Sequence, residues 1–440
     1  MSSDKQFNLQ FQKLGISSLN AMQEKAFKTI QNEKQTVLLA PTGSGKTVAF
    51  LWPLLHHLNK EITGVQALVL APTRELALQI ESVWRKMSTG FKVNVFYGGH
   101  AMQVEKSSLS EPPALLIATP GRLADHLKRE TFDPSTIKFL VLDEFDKSLE
   151  LGFQEQMAFI IEKLHRNRKT VLVSATGDLE IPEFTGMQHP VEINFVGEKT
   201  AAPKLKMQLL ECEDRYKMRR LFDLLCSFKG EPAIVFFNHR EAVEEAHEVL
   251  TKLGLHPSFY HGGLEQDERE RALIHFRNGT KPFLLTTDIA ARGLDIPEMN
   301  HVVHYQMPLK EAEFTHRNGR TARMKASGTA YIIMSNTDNR RPYLSHDISA
   351  IELKKDYPLP PEPAFETLYI SGGKKDKLSK IDIVGFFGQK GKLQKEDIGL
   401  IFVHDFFSYV AVRKSKTRTL LQLVRDEKMK GKKFKIGIAK

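Results

Sequence analysis

Ala40-Pro41-Thr42-Gly43-Ser44-Gly45-Lys46-Thr47 stands between an apolar run at 37–39 and a stretch at 48–58 with helical periodicity. A strand, a Gly-rich turn and a helix in that order form the setting in which a phosphate-binding loop works. Gly43 and Gly45 let the backbone fold tightly enough for several N–H groups to converge at a helix N-terminus, a nest for polyphosphate oxygens. Lys46 then neutralises the outer phosphates, and the Thr47 hydroxyl is placed to hold magnesium. Ala40 stands where such loops usually begin with Gly. The remaining spacing is intact, and the stretch predicts a parallel-sheet nucleotide-binding fold.

The chain around it has 440 residues, enough by length for about three domains and for cores that need no covalent staples. Cys212 and Cys226 are its only cysteines, which excludes a disulfide framework or a cysteine-rich zinc site and predicts a reducing compartment. No run approaches the length of a membrane span, so the expected location is the cytoplasm. Residues 364–440 carry 18 Lys and Arg against 8 Asp and Glu, leaving 45 against 45 for residues 1–363. The whole net charge of +10 therefore sits in the last 77 residues. A basic module with a polyanionic partner follows from that segregation.

Short apolar runs at 37–39, 67–70, 93–97, 114–118, 139–142 and 170–173 alternate with helical stretches, the pattern of a parallel sheet covered by helices on both faces. Ligands of such sheets bind at the carboxyl ends of the strands. After 196 the apolar pattern lapses into a linker. A second series with runs at 233–237, 256–260, 283–286, 301–305 and 329–334 repeats the arrangement. Residues 335–363 end in Tyr-Pro-Leu-Pro-Pro-Glu-Pro, which predicts a semi-rigid tether that leaves the basic module free to orient.

Asp143-Glu144 follows the run 139–142. A carboxylate pair at the end of a neighbouring strand supplies what a nucleotide hydrolase needs, one group for magnesium, partly through water, and one to orient the attacking water. Asp143-Glu144-Phe145-Asp146 resembles the Asp-Glu-Ala-Asp box of the DEAD-box RNA helicases, and further segments match that family in order and spacing. Gly15-Ile16 with Met22-Gln23 resembles its adenine-reading motif, with Asn20 where Thr is usual and Phe7 as candidate for the upstream stacking aromatic. Ser174-Ala175-Thr176, with Asp146, resembles the segment coupling hydrolysis to strand separation. Thr73-Arg74, Gly98-Gly99 and Thr119-Pro120-Gly121-Arg122 match the RNA-contact segments of the first lobe.

In the second series, the segment with Arg269 and the residue Thr287 resemble RNA contacts, and Asp295 the residue on the ribose. His316-Arg317-Asn318-Gly319-Arg320-Thr321-Ala322-Arg323 resembles the motif whose last two arginines face the γ-phosphate. The resemblance therefore implies catalytic roles for Lys46, Asp143, Glu144, His316, Arg320 and Arg323. It implies ATP contacts from Phe7, Gln23, Thr42, Gly43, Ser44, Gly45, Lys46, Thr47 and Asp295, with Thr47 and Asp143 toward magnesium. Phe145 departs from the pattern, because an aromatic beside the metal site costs about 1–3 kcal/mol unless its neighbours make room.

Residues 364–440 read β-α-β-β-α-β, the split arrangement of RNA-recognition domains. They resemble the small RNA-binding domain that ends the DbpA branch of the DEAD-box family, notably at 368–376, 399–401, 408–412 and 430–433. Lys374, Lys375, Arg413, Lys414, Lys430, Lys432 and Lys433 fall in its loops, where long cations reach phosphates. Phe406, Phe407 and Tyr409 fit either base stacking or core packing. The expected fold is two tandem RecA-like parallel-sheet lobes, 1–200 and 207–340, a Pro-rich linker at 341–363 and an RRM-like α+β domain. The resemblance implies an ATP-dependent RNA helicase that acts as a monomer on structured, large-subunit ribosomal RNA in ribosome assembly. Two rival classes share part of the pattern, a non-hydrolysing ATP-gated RNA clamp and a DNA-directed translocase of the wider superfamily.

Overall fold

The computed structural model describes residues 11–439 apart from 42, 100–101, 178–179, 197–204, 289–298, 322–327 and 355, and leaves out the side chain of Gln12. Its chain divides into two compact units, 1–202 with 293–295, and 203–292 with 296–440.

In the first unit, strands β1 (Gln35–Leu39), β2 (Ala67–Leu70), β3 (Val93–Phe96), β4 (Leu115–Ala118), β5 (Phe139–Leu142), β6 (Lys169–Ser174) and β7 (Val191–Asn194) form one sheet in the order β3-β4-β2-β5-β6-β1-β7. Every pairing is parallel. The sheet is buried on both faces, which is why its strands read as unbroken apolar runs. Leu38, Val69 and Val141 enter a core on one face, while Leu39, Leu68 and Leu140 enter a core on the other. The edge strand β7 has three exposed residues of four, too little apolar signal to be read from sequence.

The second unit begins its sheet with β8 (Leu205–Cys212) and continues with β9 (Ala233–Phe236), β10 (Ser258–Tyr260), β11 (Phe283–Thr286), β12 (His301–His304), β13 (Gly328–Ser335) and β14 (Ser349–Ala350). Their order, β10-β11-β9-β12-β13-β8-β14, is position for position that of the first sheet. The repeat read from the sequence is thus a repeat of topology. The Pro-rich segment, expected to run free, lies along this lobe instead. Ser349–Ala350 adds an edge strand to β8, Leu344 is buried, and Ile351, Leu353 and Tyr357 pack on the core. Leu359 and Pro361 close over Gly254 and Gly230, left-handed at φ 93° and 88°, where the backbone leaves room for them. Its prolines prevent central-strand pairing, but not packing.

Strands β15 (Phe365–Ile370), β16 (Ile398–Val403), β17 (Ser408–Arg413) and β18 (Ile436–Ile438) form an antiparallel sheet ordered β16-β17-β15-β18. Helices Lys380–Gln389 and Lys414–Val424 cover one face through Ile383, Phe387, Leu420 and Val424, which pack on Leu368, Val410 and Val412. Ser379 caps the first helix by accepting from Asp382 N, and Asp382 reciprocates at Ser379 N, so the helix start is fixed locally.

Candidate functional site

At the carboxyl end of β1 the phosphate loop turns through Gly43 (φ 83°) and Gly45 (φ 91°) into the helix Lys46–Leu55. Both angles are left-handed, which a side chain would resist. A Cβ on Gly45 would also meet Gln23 Nε2 at 2.5 Å. That amide belongs to a brace. Gln23 Nε2 donates to Gly45 O at 3.2 Å, and Asn20 Nδ2 donates to Ser44 O at 3.0 Å. The same two side chains form the capping box of the helix Ala21–Asn32, Gln23 N donating to Asn20 Oδ1 and Asn20 N to Gln23 Oε1. Asn20, where Thr is usual, spans both tasks because its amide offers a donor and an acceptor. Gln23, expected at the adenine, is here engaged through both ends of its amide. Lys46 Nζ bonds the loop's own carbonyls, Ala40 O at 2.6 Å and Pro41 O at 3.1 Å.

Asp143 and Glu144 follow β5. One strand, β6, separates β5 from β1, so the carboxylates are not on the neighbouring strand that the sequence suggested. The intervening strand ends in Ser174, and the segment Ser174-Ala175-Thr176, expected to couple hydrolysis to strand separation, thereby falls between the phosphate loop and the carboxylates. Its hydroxyls form a chain: Ser174 Oγ and Thr176 Oγ1 share a hydrogen bond at 3.1 Å, and Thr176 Oγ1 donates to Asp146 Oδ2 at 3.5 Å. Asp143 is 4% exposed, and burial first, then the charge of Glu144, pushes its carboxyl up to about 7, against the pull of Lys46. A desolvated oxygen donor of this kind gains most from a hard cation. The residues present therefore fit magnesium, with Asp143 and the Thr47 hydroxyl as its protein oxygens. Among the described residues no cluster of three or more His, Cys, Asp or Glu could hold a metal. The fit is thus to an ion shared with water and phosphate. Glu144 has left-handed backbone (φ 43°), a strained state common where function fixes a side chain. Phe145 turns away from this edge into the core, fully buried, its ring 6.2 Å from that of Phe184.

The three segments of the first lobe expected to contact RNA meet at the ends of β2, β3 and β4. Thr73 caps its helix by accepting from Leu76 N at 3.2 Å, and the Arg74 guanidinium lies 4.3 Å over the Tyr97 ring. Gly99 turns with φ 95°, and Thr119 N bonds Phe96 O. Arg122 donates to Glu105 Oε2 at 2.6 Å. Glu105 also accepts from Tyr97 N and meets His126 Nε2 at 2.7 Å. Sequence reasoning missed Glu105; a lone Glu in a helix carries no signal of burial.

In the second unit, Thr287 follows β11 and Arg269 lies in the first turn of the helix Gln266–Arg277. His316 and Arg320 are buried. Between them Arg317, fully buried, grips Asp288 with two bonds (2.6 and 2.9 Å) and also bonds Gln306 O and Asn238 Oδ1. Asp288 and Arg317 were not singled out from the sequence, although both adjoin residues that were. Phe7, Thr42, Asp295 and Arg323 lie outside the described residues. Lys374, Lys375, Lys432 and Lys433 are exposed on the C-terminal domain, Lys432 paired with Asp376 and Lys433 with Asp426.

Two parallel sheets of one topology, a phosphate loop after the first strand and a buried carboxylate two strands away define a nucleoside-triphosphate hydrolase of the two-lobed helicase type. Family comparison finds DEAD/DEAH box helicase at 20–183, Helicase conserved C-terminal domain at 216–325 and DbpA RNA binding domain at 367–438. The ATP-dependent RNA helicase DbpA of Escherichia coli K12 is 32% identical over 97% of this chain and 96% of its own. DbpA of Bacillus subtilis 168 is 29% identical with the same coverage. Among solved structures, Saccharomyces cerevisiae Dbp5 bound to RNA and ADP BeF3 matches with TM-score 0.67 and 25% identity over 75% of this chain and 87% of its own. The chain belongs to the DEAD-box family of ATP-dependent RNA helicases. It is an ATP-hydrolysing, RNA-binding enzyme, and none of its described helices is long and apolar enough to cross a membrane.

Proposed function

We propose that this helicase opens RNA duplexes locally on large-subunit ribosomal RNA during ribosome assembly, as a cytoplasmic monomer. The basic C-terminal domain and the full-length similarity to DbpA proteins support that target. For its domains we propose a first lobe at 1–200, a second at 207–340, a connecting segment at 341–363 and the RNA-binding domain at 364–440. The observation that carries the mechanism is the hydroxyl chain from Ser174 through Thr176 to Asp146 between loop and carboxylates.

Lys46 exchanges its two loop carbonyls for phosphate oxygens when ATP enters, so the loop is held ready by the bonds the substrate replaces. Thr47 and Asp143 would hold magnesium, partly through water, and the ion would supply positive charge to the phosphates. Glu144 orients the attacking water, and Arg320 and Arg323 supply charge to the γ-phosphate. Gln23 keeps the loop in shape for adenine-side recognition with Phe7, while Asp295 takes the ribose. Any change in the position of Asp146 is passed to Thr176, which links hydrolysis to the RNA contacts Thr73, Arg74, Gly99, Thr119, Arg122, Arg269 and Thr287.

The test is RNA-stimulated phosphate release. Lys46→Ala weakens nucleotide binding, whereas Glu144→Gln keeps binding and loses turnover. Equal turnover by wild type and Glu144→Gln would overturn the water-orienting role. Equal stimulation by a ribosomal fragment and a random duplex would overturn the proposed target.

A further inference from the structure

The second face of the C-terminal sheet carries its aromatics. Tyr369 on β15 lies opposite Tyr409 on β17, and Phe402 on β16 pairs Tyr409 from the other side. Phe407 completes the group, 5.5 Å from Tyr409. A four-stranded RNA-recognition sheet stacks bases on such central-strand aromatics.

Here that place is taken. Tyr409 is buried with Ile274 and Ala439, and Tyr369, Phe402 and Phe407 pack around them. The Arg277 guanidinium lies 5.9 Å over the Phe402 ring. Asn278 Nδ2 donates to Thr367 Oγ1 at 3.0 Å, and Thr280 Oγ1 shares a bond with the same hydroxyl at 2.7 Å. Ile274, Arg277, Asn278 and Thr280 all belong to the second lobe, on the helix Gln266–Arg277 and the turn after it. Bases could reach Tyr409 only by displacing protein that already satisfies the neighbouring polar groups.

Another edge of the same domain has the opposite character. The turn Lys374–Asp376 is stitched to the β16–β17 turn, Lys374 N to His404 O and Lys375 N to Asp405 O, both at 2.8 Å. Lys430 Nζ reaches Lys377 O at 2.9 Å, and Lys432 Nζ reaches Asp376 Oδ1 at 3.2 Å. Two lysine-rich loops and a hairpin tip thus converge. On that tip Phe406 is 65% exposed, a large aromatic held out in solvent by a turn whose backbone is bonded on both sides. Lys374 and Lys375 are exposed beside it.

We infer that the C-terminal domain takes RNA on this loop edge, Phe406 stacking an unpaired base while Lys374, Lys375 and Lys432 meet phosphates, and that the aromatic sheet face is a docking surface for the second lobe. The inference rests on the helicase reading and specifies where its tail holds RNA. An aromatic flanked by cations suits a single strand, because every base has a face to stack and every nucleotide a charge to neutralise. Exposed ion pairs such as Lys432 with Asp376 contribute little to stability and exchange readily for phosphate. Docking has its own consequence. The helix that carries Arg269 in its first turn is clamped to the domain, so both RNA contacts ride on one body.

Fluorescence anisotropy of full-length, nucleotide-free protein with a labelled RNA hairpin bearing a single-stranded 3′ extension tests this. Phe406→Ala weakens binding roughly tenfold at unchanged melting temperature. Replacing Lys374 and Lys375 with Ala lowers the slope of log affinity against log salt by about 1.4, near 0.7 for each lost contact. Tyr369→Ala lowers the melting temperature of the docked body and keeps the affinity within about twofold. Wild-type affinity in Phe406→Ala overturns the inference, as does loss of binding in Tyr369→Ala at unchanged melting, which would put bases on the sheet face. Failure of the wild type itself to bind the hairpin would overturn the helicase reading as well, which separates the two failures.

Discussion

Glu105, 4% exposed, grips Arg122 at 2.6 Å through an oxygen that also meets His126 at 2.7 Å. Its other oxygen accepts the backbone N–H of Tyr97, whose ring lies beneath Arg74. One buried carboxylate therefore joins three chain segments proposed to touch RNA. Glu105→Ala removes the carboxylate from a largely buried ion pair with Arg122 and should cost about 3–5 kcal/mol of first-lobe stability, read by denaturant unfolding. Glu105→Gln keeps the shape but not the charge that fixes the guanidinium, and should weaken RNA binding several-fold while the nucleotide KM stays unchanged. Equal loss of nucleotide and RNA affinity would mean general damage rather than positioning.

Phe145 resolves the overpacking question in favour of neighbours that make room. Its ring is fully buried beside Phe184 in the core on one face of the first sheet. Phe145→Ala should leave a cavity and cost about 3–5 kcal/mol, with the loss in the first lobe alone. Turnover on RNA, measured well below the lowered melting point, should stay near wild type, because the ring points away from Asp143. A rise in turnover would show strain that the packing does not reveal.

How much of this was legible in sequence follows physical lines. Central strands announce themselves because burial on both faces demands unbroken apolar runs, as at 139–142. Edge strands such as Val191–Asn194 and Ser349–Ala350 are mostly exposed and carry no such pattern. The phosphate loop was legible because its chemistry is local, eight residues long. Glu105 and Asp288 act through partners 17 and 29 residues away, and no local spacing encodes that. Docking of the C-terminal domain was hidden for the same reason. Tyr409 reads alike whether it stacks a base or a protein side chain.

Two buried histidines in the second unit give it an acid limit. Burial above all holds His275 down to about 4 and His304 to about 3, against the usual 6.5. Their folded forms are neutral where the unfolded chain is protonated, so the unfolded state binds more protons between those values and 6.5. Stability should be full above pH 6.5 and fall as pH drops toward 4, by on the order of 3 kcal/mol from His275 alone. Urea midpoints across that range should flatten in His275→Gln. An unchanged pH slope in that variant would assign the acid loss to other groups.

The docked sheet face changes what truncation does. A free tether would let the lobes survive loss of residues 364–440 untouched. In the structure that deletion uncovers Ile274, now 4% exposed, and strips Asn278 and Thr280 of their bonds to Thr367. Exposing one such apolar side chain costs about 1.5–3 kcal/mol, and each lost hydrogen bond about 0.5–1.5. The second lobe of the truncated protein should therefore melt several degrees below its place in the full chain, at roughly 2–4 °C for each kcal/mol. Thr367→Ala in the full chain should show a smaller shift of the same sign, since it removes only the polar part of the contact. Scanning calorimetry of the three proteins decides the matter. Identical melting of the second lobe with and without the tail would mean that the docked face holds no stabilising contact, and the single-body account of RNA binding would fall with it.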